Sequence, residues 1–209
     1  ESSVLAVGGQ MVTVRGLAAT YRDEYLPQYG RHQADNAALA IAAVESFIGG
    51  GTQPIAGDIL AQGLAEATSP GRLQLVGIAP TVIVDAAHNP HGARALAAAL
   101  GEFFDFDEWA LVLGVLGDKD AEGIIDALAP VITRVFTTQP ESPRASDAET
   151  LADLIELRGV VVSAHPASDD AMDTARRWAA EADRRAVLIA GSVVLAGEAI
   201  AYAESEGWK

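Results

Sequence analysis

The residues best suited to chemistry follow a short apolar run at positions 82–84. Asp85 ends this run, and His88 comes three residues later, directly before Asn89 and Pro90. Asn is a good helix N-cap, and Pro suits the first helical position because its missing N–H has no partner there. We therefore predict a strand that delivers Asp85 and His88 to the edge of a sheet. Ligands bind at the carboxyl ends of strands in open α/β sheets, so an acid and an imidazole there indicate chemistry rather than packing.

Polar residues also follow other apolar runs, at the same predicted edge of the sheet. Arg144 follows one of these runs, in the loop 142–145. Asp118 is as typical of a helix N-cap as of a ligand. His165, which precedes a proline, is typical of a solvated loop. Ser192 stands at a predicted helix start, where it suits either a cap or a site for a carboxylate or phosphate.

The elements that must position these residues alternate between strand and helix after a predicted domain boundary at Ser69-Pro70-Gly71. This alternation predicts an α/β domain with a mostly parallel sheet and helices on both faces. Ser146 and Glu149 predict a capping box for the helix after the fourth strand. The predicted strands are 73–78, 81–84, 110–115, 131–137, 160–164 and 186–190, and the predicted helices are 90–104, 119–128, 147–157, 169–182 and 192–203.

The sequence before the boundary has a different order of elements. Two short β-type runs at 4–7 and 11–16 flank Gly8-Gly9 and predict a hairpin. Residues 17–31 are polar and aromatic and end in Gly30-Arg31. Apolar residues then recur at helical spacing. The predicted helices are 32–48 and 58–67.

Composition excludes several classes of function. The 209 residues include 14 basic and 29 acidic side chains, for a formal charge of −15, whereas a nucleic-acid surface needs a basic footprint. No apolar run reaches the roughly 18 residues of a membrane span. The lack of Cys removes disulfides, thiolate catalysis and Cys-zinc sites, and it fits a cytoplasmic protein. The sequence starts without Met and without a signal peptide, so we expect a trimmed product or a portion of a longer protein.

Common nucleotide-binding and hydrolase motifs are missing from the sequence. It has no G-x-x-x-x-G-K-[ST] phosphate loop, and the segment 114–119 is only superficially similar to one. It has no G-x-G-x-x-G fingerprint after a strand, which makes a dehydrogenase a poor interpretation. H-E-x-x-H and the nucleophile elbow of Ser hydrolases are missing too.

Five motifs nevertheless occur in a characteristic order. They are GRHQADNA at 30–37, SPGR at 69–72, DAAHNP at 85–90, GDKD at 117–120 and GSVVLAGEA at 191–199. Together they resemble the folylpolyglutamate synthase family, which is often bifunctional with dihydrofolate synthase and belongs to the Mur-ligase-like superfamily. The resemblance implies an ATP-dependent ligase that joins L-glutamate to a folate carboxylate through an acyl phosphate.

The same resemblance assigns the nucleotide contacts. Asn36 would contact the adenine, Arg72 the phosphates, and Asp85 the ribose or the neighbouring hinge. The chemistry of the side chains agrees, because Asn offers a donor and an acceptor to a base edge, and Arg offers a fork of donors to phosphate oxygens. The cofactors implied are ATP and Mg²⁺, with most of the magnesium ligands in a portion that this sequence lacks.

The glutamate contacts follow from the resemblance as well. His88, the candidate catalytic residue, and Ser192 would lie near the incoming glutamate, and a helix N-terminus at Ser192 suits its carboxylate. Arg144 would pair with a further carboxylate.

The resemblance also implies how the chain is divided. Residues 1–68 would be the end of a central P-loop ATPase domain without its P-loop, and residues 69–209 a Rossmann-like glutamate ligase domain. The expected partners are the N-terminal portion of the same enzyme, folate and L-glutamate, with no nucleic acid and no membrane. Alone, the chain is not expected to hydrolyse ATP.

Two alternatives stay open. A cell-wall Mur ligase shares the C-terminal fold and a similar acid-x-x-His-x-Pro motif, although His32-Gln33 and Gly117-Asp118-Lys119-Asp120 favour the folate branch. A free Rossmann-like module that binds a nucleotide or regulates a partner is the non-enzymatic alternative, since the P-loop is missing.

Overall fold

The computed structural model describes residues 2–6 and 8–208, with the side chains of Ser2 and Leu5 left aside. The chain divides into two compact units, Glu1–Pro70 and Gly71–Lys209, which are called unit 1 and unit 2 below. The division falls within the turn Ser69-Pro70-Gly71, where the sequence places a domain boundary.

Unit 1 is an antiparallel sheet of three strands in the order β1-β2-β3, with two helices after it. The predicted hairpin at Gly8-Gly9 is confirmed by the pairing of β1 with β2. The third strand was missed: only Tyr21 and Leu26 of it are buried, and its register with β2 shifts between Val12 and Val14, so no apolar alternation marks it. The elements are β1 (Ser2–Ala6), β2 (Gly9–Arg15), β3 (Thr20–Leu26), α1 (Arg31–Gly49) and α2 (Gly57–Ala65).

The core of unit 1 lies between this sheet and the helices. Val12 and Val14 of β2 alternate toward the core, as a half-buried strand requires. One stripe of α1 meets them, with Ala34, Ala37 and Ile41 at helical spacing. The helix α2 adds two leucines to the same core.

Unit 2 confirms the predicted α/β fold. Its six strands lie in the order β4-β5-β9-β6-β7-β8, and all neighbours are parallel except β4 and β5, which form a hairpin around Ala79-Pro80. The strands are β4 (Gln74–Ile78), β5 (Thr81–Val84), β6 (Glu108–Leu113), β7 (Arg134–Thr138), β8 (Val161–His165) and β9 (Arg185–Ala190), and the helices are α3 (Pro90–Phe103), α4 (Ala121–Leu128), α5 (Ala148–Glu156), α6 (Ser168–Ala180) and α7 (Val193–Ser205).

Helices cover both faces of the sheet in unit 2. On one face, strand residues such as Val112 and Ile189 pack with α6 and α7 around Met172 and Leu195. Alternation turns the neighbouring strand residues, such as Leu188, toward the other face, where α3, α4 and α5 bury their apolar stripes. The strands are therefore buried on both sides, and their carboxyl ends form one shared edge.

The helix starts confirm one predicted cap and correct two. Asn89 caps α3, with its Oδ1 2.8 Å from the backbone N of the third residue on. Asp120, and not Asp118, caps α4. Asp147, and not Ser146, caps α5, so the predicted capping box is wrong. The reason is that the backbone N–H of Ser146 is engaged by a neighbouring loop, which places the next residue at the helix start.

Over the described residues, no helix combines the length and the hydrophobicity that a bilayer crossing requires.

Candidate functional site

The candidate site lies at the carboxyl edge of the parallel strands in unit 2. Asp85 and His88 follow β5, which pairs with the central strand β9, and Ser192 follows β9. Two backbone bonds tie the loops together at this point. The N–H of Asp85 donates to the carbonyl of Ile189 at 2.9 Å, and the N–H of Gly191 donates to the carbonyl of Ala87 at 3.0 Å. The sequence motifs at 85–90 and 191–199 therefore meet in space.

Asp85 organises this edge through its buried carboxylate. The side chain is only 6% exposed. Its Oδ2 accepts the N–H of Leu73 at 2.9 Å, and its Oδ1 accepts the N–H of Ala87 at 2.8 Å. Hydrogen bonds to a charged acceptor are among the stronger ones in proteins. Asp85 therefore joins the loop after β5 to the segment that enters β4.

That segment presents Arg72 to solvent. Gly71 and Leu73, the residues on either side, are buried and have left-handed φ values of 68° and 44°. The carbonyl of Gly71 also accepts the N–H of Ala86 at 2.7 Å. Between these anchors Arg72 is exposed and forms no hydrogen bond or ion pair with any residue that the structure describes. The backbone around Arg72 is thus held in place, while its guanidinium is accessible to a ligand.

His88 is half-buried, and its hydrogen bond to a backbone carbonyl determines the tautomer of its ring. Its Nδ1 lies 2.9 Å from the carbonyl oxygen of Ala86. A carbonyl can only accept, so Nδ1 carries the hydrogen. In the neutral ring Nε2 then holds a lone pair that can accept a proton or a hydrogen bond.

Ser192 is buried and caps α7. Its Oγ accepts the N–H of Leu195 at 3.0 Å, and the residue is 1% exposed. Gly191 before it has φ 115°, and a Cβ there would lie 2.7 Å from the carbonyl oxygen of Gly114. The observed contact is that of a helix cap, which is one of the two roles predicted for Ser192. Contact of Ser192 with glutamate stays a prediction.

Arg144 lies in the loop after β7 and has a partner within the protein. Its Nη1 is 3.6 Å from the Asp118 carboxylate, which also pairs with Lys119 at 3.1 Å. The hydrogen bond from Lys119 lowers the pKa of Asp118. The carbonyl of Arg144 accepts the N–H of Gly117 at 2.7 Å, so the loops after β6 and β7 are joined. A substrate carboxylate at Arg144 would have to compete with Asp118.

Asn36 belongs to unit 1 and is exposed on α1. Its Nδ2 donates to Oε1 of Gln33 at 3.1 Å, one turn earlier in the helix. The helix begins after Gly30, whose φ of 98° is left-handed, and no side chain caps it. The amide of Asn36 is therefore held at the start of α1, accessible to a ligand.

His165 corrects a prediction. It is the last residue of β8 and not a solvated loop residue, because the strand extends one residue further than the apolar run. Its Nδ1 lies 2.7 Å from the carboxylate of Asp170 and its Nε2 3.0 Å from Oγ of Ser163. Its ring lies beside Phe136. These contacts are at the edge strand, apart from Asp85 and His88.

Two polar residues of this edge were missed. Oε1 of Gln74 accepts the N–H of Gly71 at 2.9 Å and closes the turn that carries Arg72. Oε1 of Glu198 on α7 accepts the N–H of Glu141 at 2.6 Å and so holds the loop after β7. A signal for Glu198 existed, since it is the lone charged residue in an otherwise apolar stretch of helix.

The described residues contain no cluster of three or more His, Asp or Glu side chains able to hold a metal ion. The groups that this edge offers to a ligand include the guanidinium of Arg72 and the imidazole of His88.

The chain is similar to known proteins over most of its length. The dihydrofolate synthase/folylpolyglutamate synthase of Mycobacterium tuberculosis is 46% identical over 93% of this chain and 43% of its own length. A structure of M. tuberculosis folylpolyglutamate synthase complexed with ADP superposes with a TM-score of 0.91 at 45% identity, covering 97% of this chain and 46% of that one. The bifunctional synthase of Yersinia pestis, complexed with AMPPNP and Mn ion, gives a TM-score of 0.72 at 27% identity, covering 87% and 41%.

This chain spans less than half the length of these relatives. The family described as "Mur ligase, glutamate ligase domain" matches residues 71–193, which include β4 to β9 and the start of α7. The match begins at the boundary of unit 2 and covers Arg72, Asp85, His88 and Ser192. The chain therefore belongs to the Mur ligase family and carries its glutamate ligase domain in unit 2.

Proposed function

We propose that this chain is part of an ATP-dependent ligase that adds L-glutamate to the carboxylate of a folate in the cytoplasm. The observation that carries the proposal is the presentation of Arg72. Its guanidinium is exposed and unpaired among the described residues, while its neighbours are held, Leu73 by Asp85 and Gly71 by Ala86. The names of the relatives supply the substrate class.

Arg72 binds phosphate oxygens in this proposal. ATP, when bound, supplies the phosphoryl group that converts the folate carboxylate into an acyl phosphate. A guanidinium at the tip of a rigid turn offers two parallel donors to such oxygens, and it stabilises the charge that develops on them. The relatives bind ADP and AMPPNP, which fits a nucleotide beside this turn.

His88 acts on the amine of the incoming glutamate. Its Nδ1 is committed to the carbonyl of Ala86, so its Nε2 is the atom that faces other ligands as an acceptor. The glutamate amine is an ammonium ion at neutral pH and must lose a proton before it attacks a carbonyl carbon. In this proposal Nε2 of His88 accepts a hydrogen bond from this ammonium and takes up the proton. Ser192 and the start of α7 would position the substrate carboxylate.

The described residues do not fit a magnesium site by themselves, because no three carboxylate or imidazole groups converge among them. We therefore place most of the metal ligands in an N-terminal portion of the enzyme, together with the phosphate loop. Asn36 in unit 1 is the proposed adenine contact, through its exposed amide.

The test is a ligation assay with the product of the complete reading frame that encodes this chain. ATP, glutamate and a reduced folate are supplied, and the folate product is identified by mass spectrometry. We expect one added glutamate mass per ADP released. The Arg72→Ala variant should lose at least about tenfold in kcat, as loss of a charge-stabilising donor does.

Arg177→Ala is the matched control, since Arg177 lies in the last turn of α6 and, among the residues that the structure describes, bonds only to its own helix. Its turnover should equal that of the wild type. Glutamate addition to a cell-wall precursor but not to folate would overturn the proposal in favour of the Mur alternative. Equal kcat and equal KM for ATP in Arg72→Ala and wild type would remove Arg72 from the site.

A further inference from the structure

A buried amide lies on the core face of the sheet in unit 1. Gln10 of β2 shares this face with Val12 and Val14, because alternate residues of a strand point to the same side. Gln10 is fully buried, and its Oε1 has no hydrogen-bond partner among the described residues. An unpaired buried oxygen costs stability, so an apolar side chain would suit the core better at this position.

The nitrogen of the same amide holds the start of α1. Nε2 of Gln10 donates to the carbonyl oxygen of Gly30 at 3.0 Å. A carbonyl can only accept, so this contact determines which way the amide is turned. The carbonyl also accepts the N–H of Gln33 at 3.0 Å, so both of its lone pairs are used. Since no side chain among the described residues caps α1, Gln10 anchors a helix start that lacks the usual support.

The first turn of α1 connects this anchor to the surface of the helix. Gln33 is buried in this turn, and its Oε1 accepts Nδ2 of Asn36 at 3.1 Å. Because Nδ2 is turned toward Gln33, the Oδ1 atom of the exposed Asn36 is turned away from it. Three hydrogen bonds therefore link Gln10 to Asn36, by way of Gly30 and Gln33.

We propose that Gln10 is a positioning residue for the nucleotide and that it acts by orienting the amide of Asn36. This inference rests on the proposed function, in which Asn36 contacts the adenine. An Asn amide recognises adenine when its oxygen accepts the amino group of the base and its nitrogen donates to a ring nitrogen. Such recognition depends on the direction of the amide, and the hydrogen bonds that begin at Gln10 set this direction.

The consequence is a preference among bases. Inosine triphosphate has the same ribose and phosphates as ATP, but a carbonyl oxygen replaces the amino group of the base. Oδ1 of Asn36 would face this oxygen with no hydrogen between them, and two acceptors repel each other. An amide held in one direction therefore favours ATP over inosine triphosphate, and a loosened amide favours it less.

The test measures the dissociation constants of ATP and of inosine triphosphate by calorimetry, without folate or glutamate, in the product of the complete reading frame. Gln10→Leu removes the donor to Gly30 together with the unpaired oxygen, and Gln10→Met does the same with an unbranched side chain. In both variants the preference for ATP should fall about fivefold, which is the effect of one hydrogen bond. Binding of inosine triphosphate should stay the same.

Stability is measured in parallel by hydrogen exchange of the core amides of unit 1. Exchange should not become faster in Gln10→Leu or Gln10→Met, because the lost hydrogen bond is offset by removal of the unpaired oxygen. If one of the two side chains packs poorly, its exchange shows this, and the other variant gives the nucleotide preference.

Thr13→Val is the matched control. Thr13 lies on the same strand as Gln10 but on its other face, and its hydroxyl accepts the N–H of Asp23 at 3.4 Å. This change also replaces a polar side chain with an apolar one, and it should leave the preference for ATP unaltered. A double variant adds a second check. Since Gln10 acts through Asn36, Gln10→Leu should not lower the preference further in an Asn36→Ala background.

Equal loss of affinity for both nucleotides in Gln10→Leu would overturn the proposal, because Gln10 would then support the fold of unit 1 and not the direction of the amide. An unchanged preference for ATP would overturn it as well, and so would a full additional effect in the Asn36→Ala background. The readout needs no turnover. A failed ligation assay with the expected change in preference therefore refutes the proposed ligase function alone.

Discussion

Two buried carboxylates use the same chemistry in different units. Asp85 in unit 2 accepts the backbone N–H groups of Leu73 and Ala87. Glu45 in unit 1 accepts the N–H of Leu17 and, at 3.2 Å, that of Ala18, and it also accepts the Tyr21 hydroxyl at 2.7 Å. Each carboxylate therefore fixes a loop that would otherwise leave buried or partly buried donors unpaired.

The two differ in what the fixed loop presents. The turn held by Asp85 presents Arg72, a charged and unpaired group among the described residues, at a sheet edge that binds ligands in this fold. The turn held by Glu45 presents Leu17, an exposed apolar side chain. A buried carboxylate thus indicates only that a loop is rigid, and the residue at the tip of the loop indicates whether the rigidity serves binding.

The comparison predicts that Glu45 matters for stability alone. Glu45→Leu removes the acceptor of two partly buried N–H groups and of the Tyr21 hydroxyl, which should lower the free energy of opening of unit 1 by about 4 kcal/mol. Hydrogen exchange of the 16–19 segment measures this, since all three Trp residues are in unit 2. The control Glu66→Leu replaces an exposed carboxylate and should change the value by less than about 0.5 kcal/mol. Unaltered exchange in Glu45→Leu would show that the loop is held by other contacts.

Asp85→Asn should affect both stability and turnover. The Asn side chain keeps one oxygen but turns an NH₂ group toward one of the two backbone donors, which should cost unit 2 about 2 kcal/mol. Trp fluorescence in urea reports this unit. Turnover should also fall, because the turn that carries Arg72 loses an anchor.

Two controls separate these effects. Asp183→Asn, at an exposed position, should change neither quantity. Arg72→Ala should lower turnover and leave the unfolding of unit 2 unchanged. If Asp85→Asn destabilised unit 2 but kept full activity, Asp85 would resemble Glu45. It would then contribute to stability and not to turnover.

The sequence was sufficient to place Asp85 and His88 between a strand and a helix because strong local signals coincide there. An apolar run, an acid and an Asn-Pro helix start follow one another, and each reports on the same strand end. The strand-helix alternation of unit 2 was likewise readable, since parallel strands buried on both faces are continuous apolar runs.

The sequence was insufficient where a contact joins distant residues. Glu45 looks like a solvated helix residue, and only the packing of the loop at 16–19 shows that it is buried. The caps Asp120 and Asp147 stand one or two residues from the predicted ones because loop-to-loop bonds set the helix starts. Gln74 acts through the left-handed turn before it, which no periodicity marks.

His88→Ala tests the proposed contact between unit 2 and the glutamate amine. The loss of one hydrogen bond to the glutamate amine should raise the KM for glutamate about fivefold, with a smaller effect on the KM for ATP. His91→Ala is the control, as His91 is exposed in the first turn of α3. A change confined to ATP would reassign His88 to the nucleotide.

The smallest expected effect concerns the pH dependence of unit 1. Burial alone would raise the pKa of Glu45, but hydrogen bonds from Tyr21, Ala18 and Leu17 together lower it below its ordinary value of 4.5. A depressed pKa means that the charged form stabilises the fold. This contribution is complete above the pKa of the unfolded chain, and it disappears as the pH falls through the lower pKa of the folded state. Unit 1 should therefore weaken in acid and not near neutral pH.

An NMR titration of the Glu carboxyl carbons measures this pKa directly. Glu45 should titrate below its ordinary value of 4.5, and in Tyr21→Phe it should titrate at higher pH than in the wild type, because the hydroxyl donor is lost while the burial remains. If Glu45 titrated above 4.5 in the wild type, burial would outweigh the hydrogen bonds. The carboxyl would then fold in its protonated form, and acid would stabilise unit 1 instead of weakening it. Glu45 would then hold its loop as a neutral carboxyl group. It would differ in this from Asp85, whose two oxygens accept two backbone N–H groups.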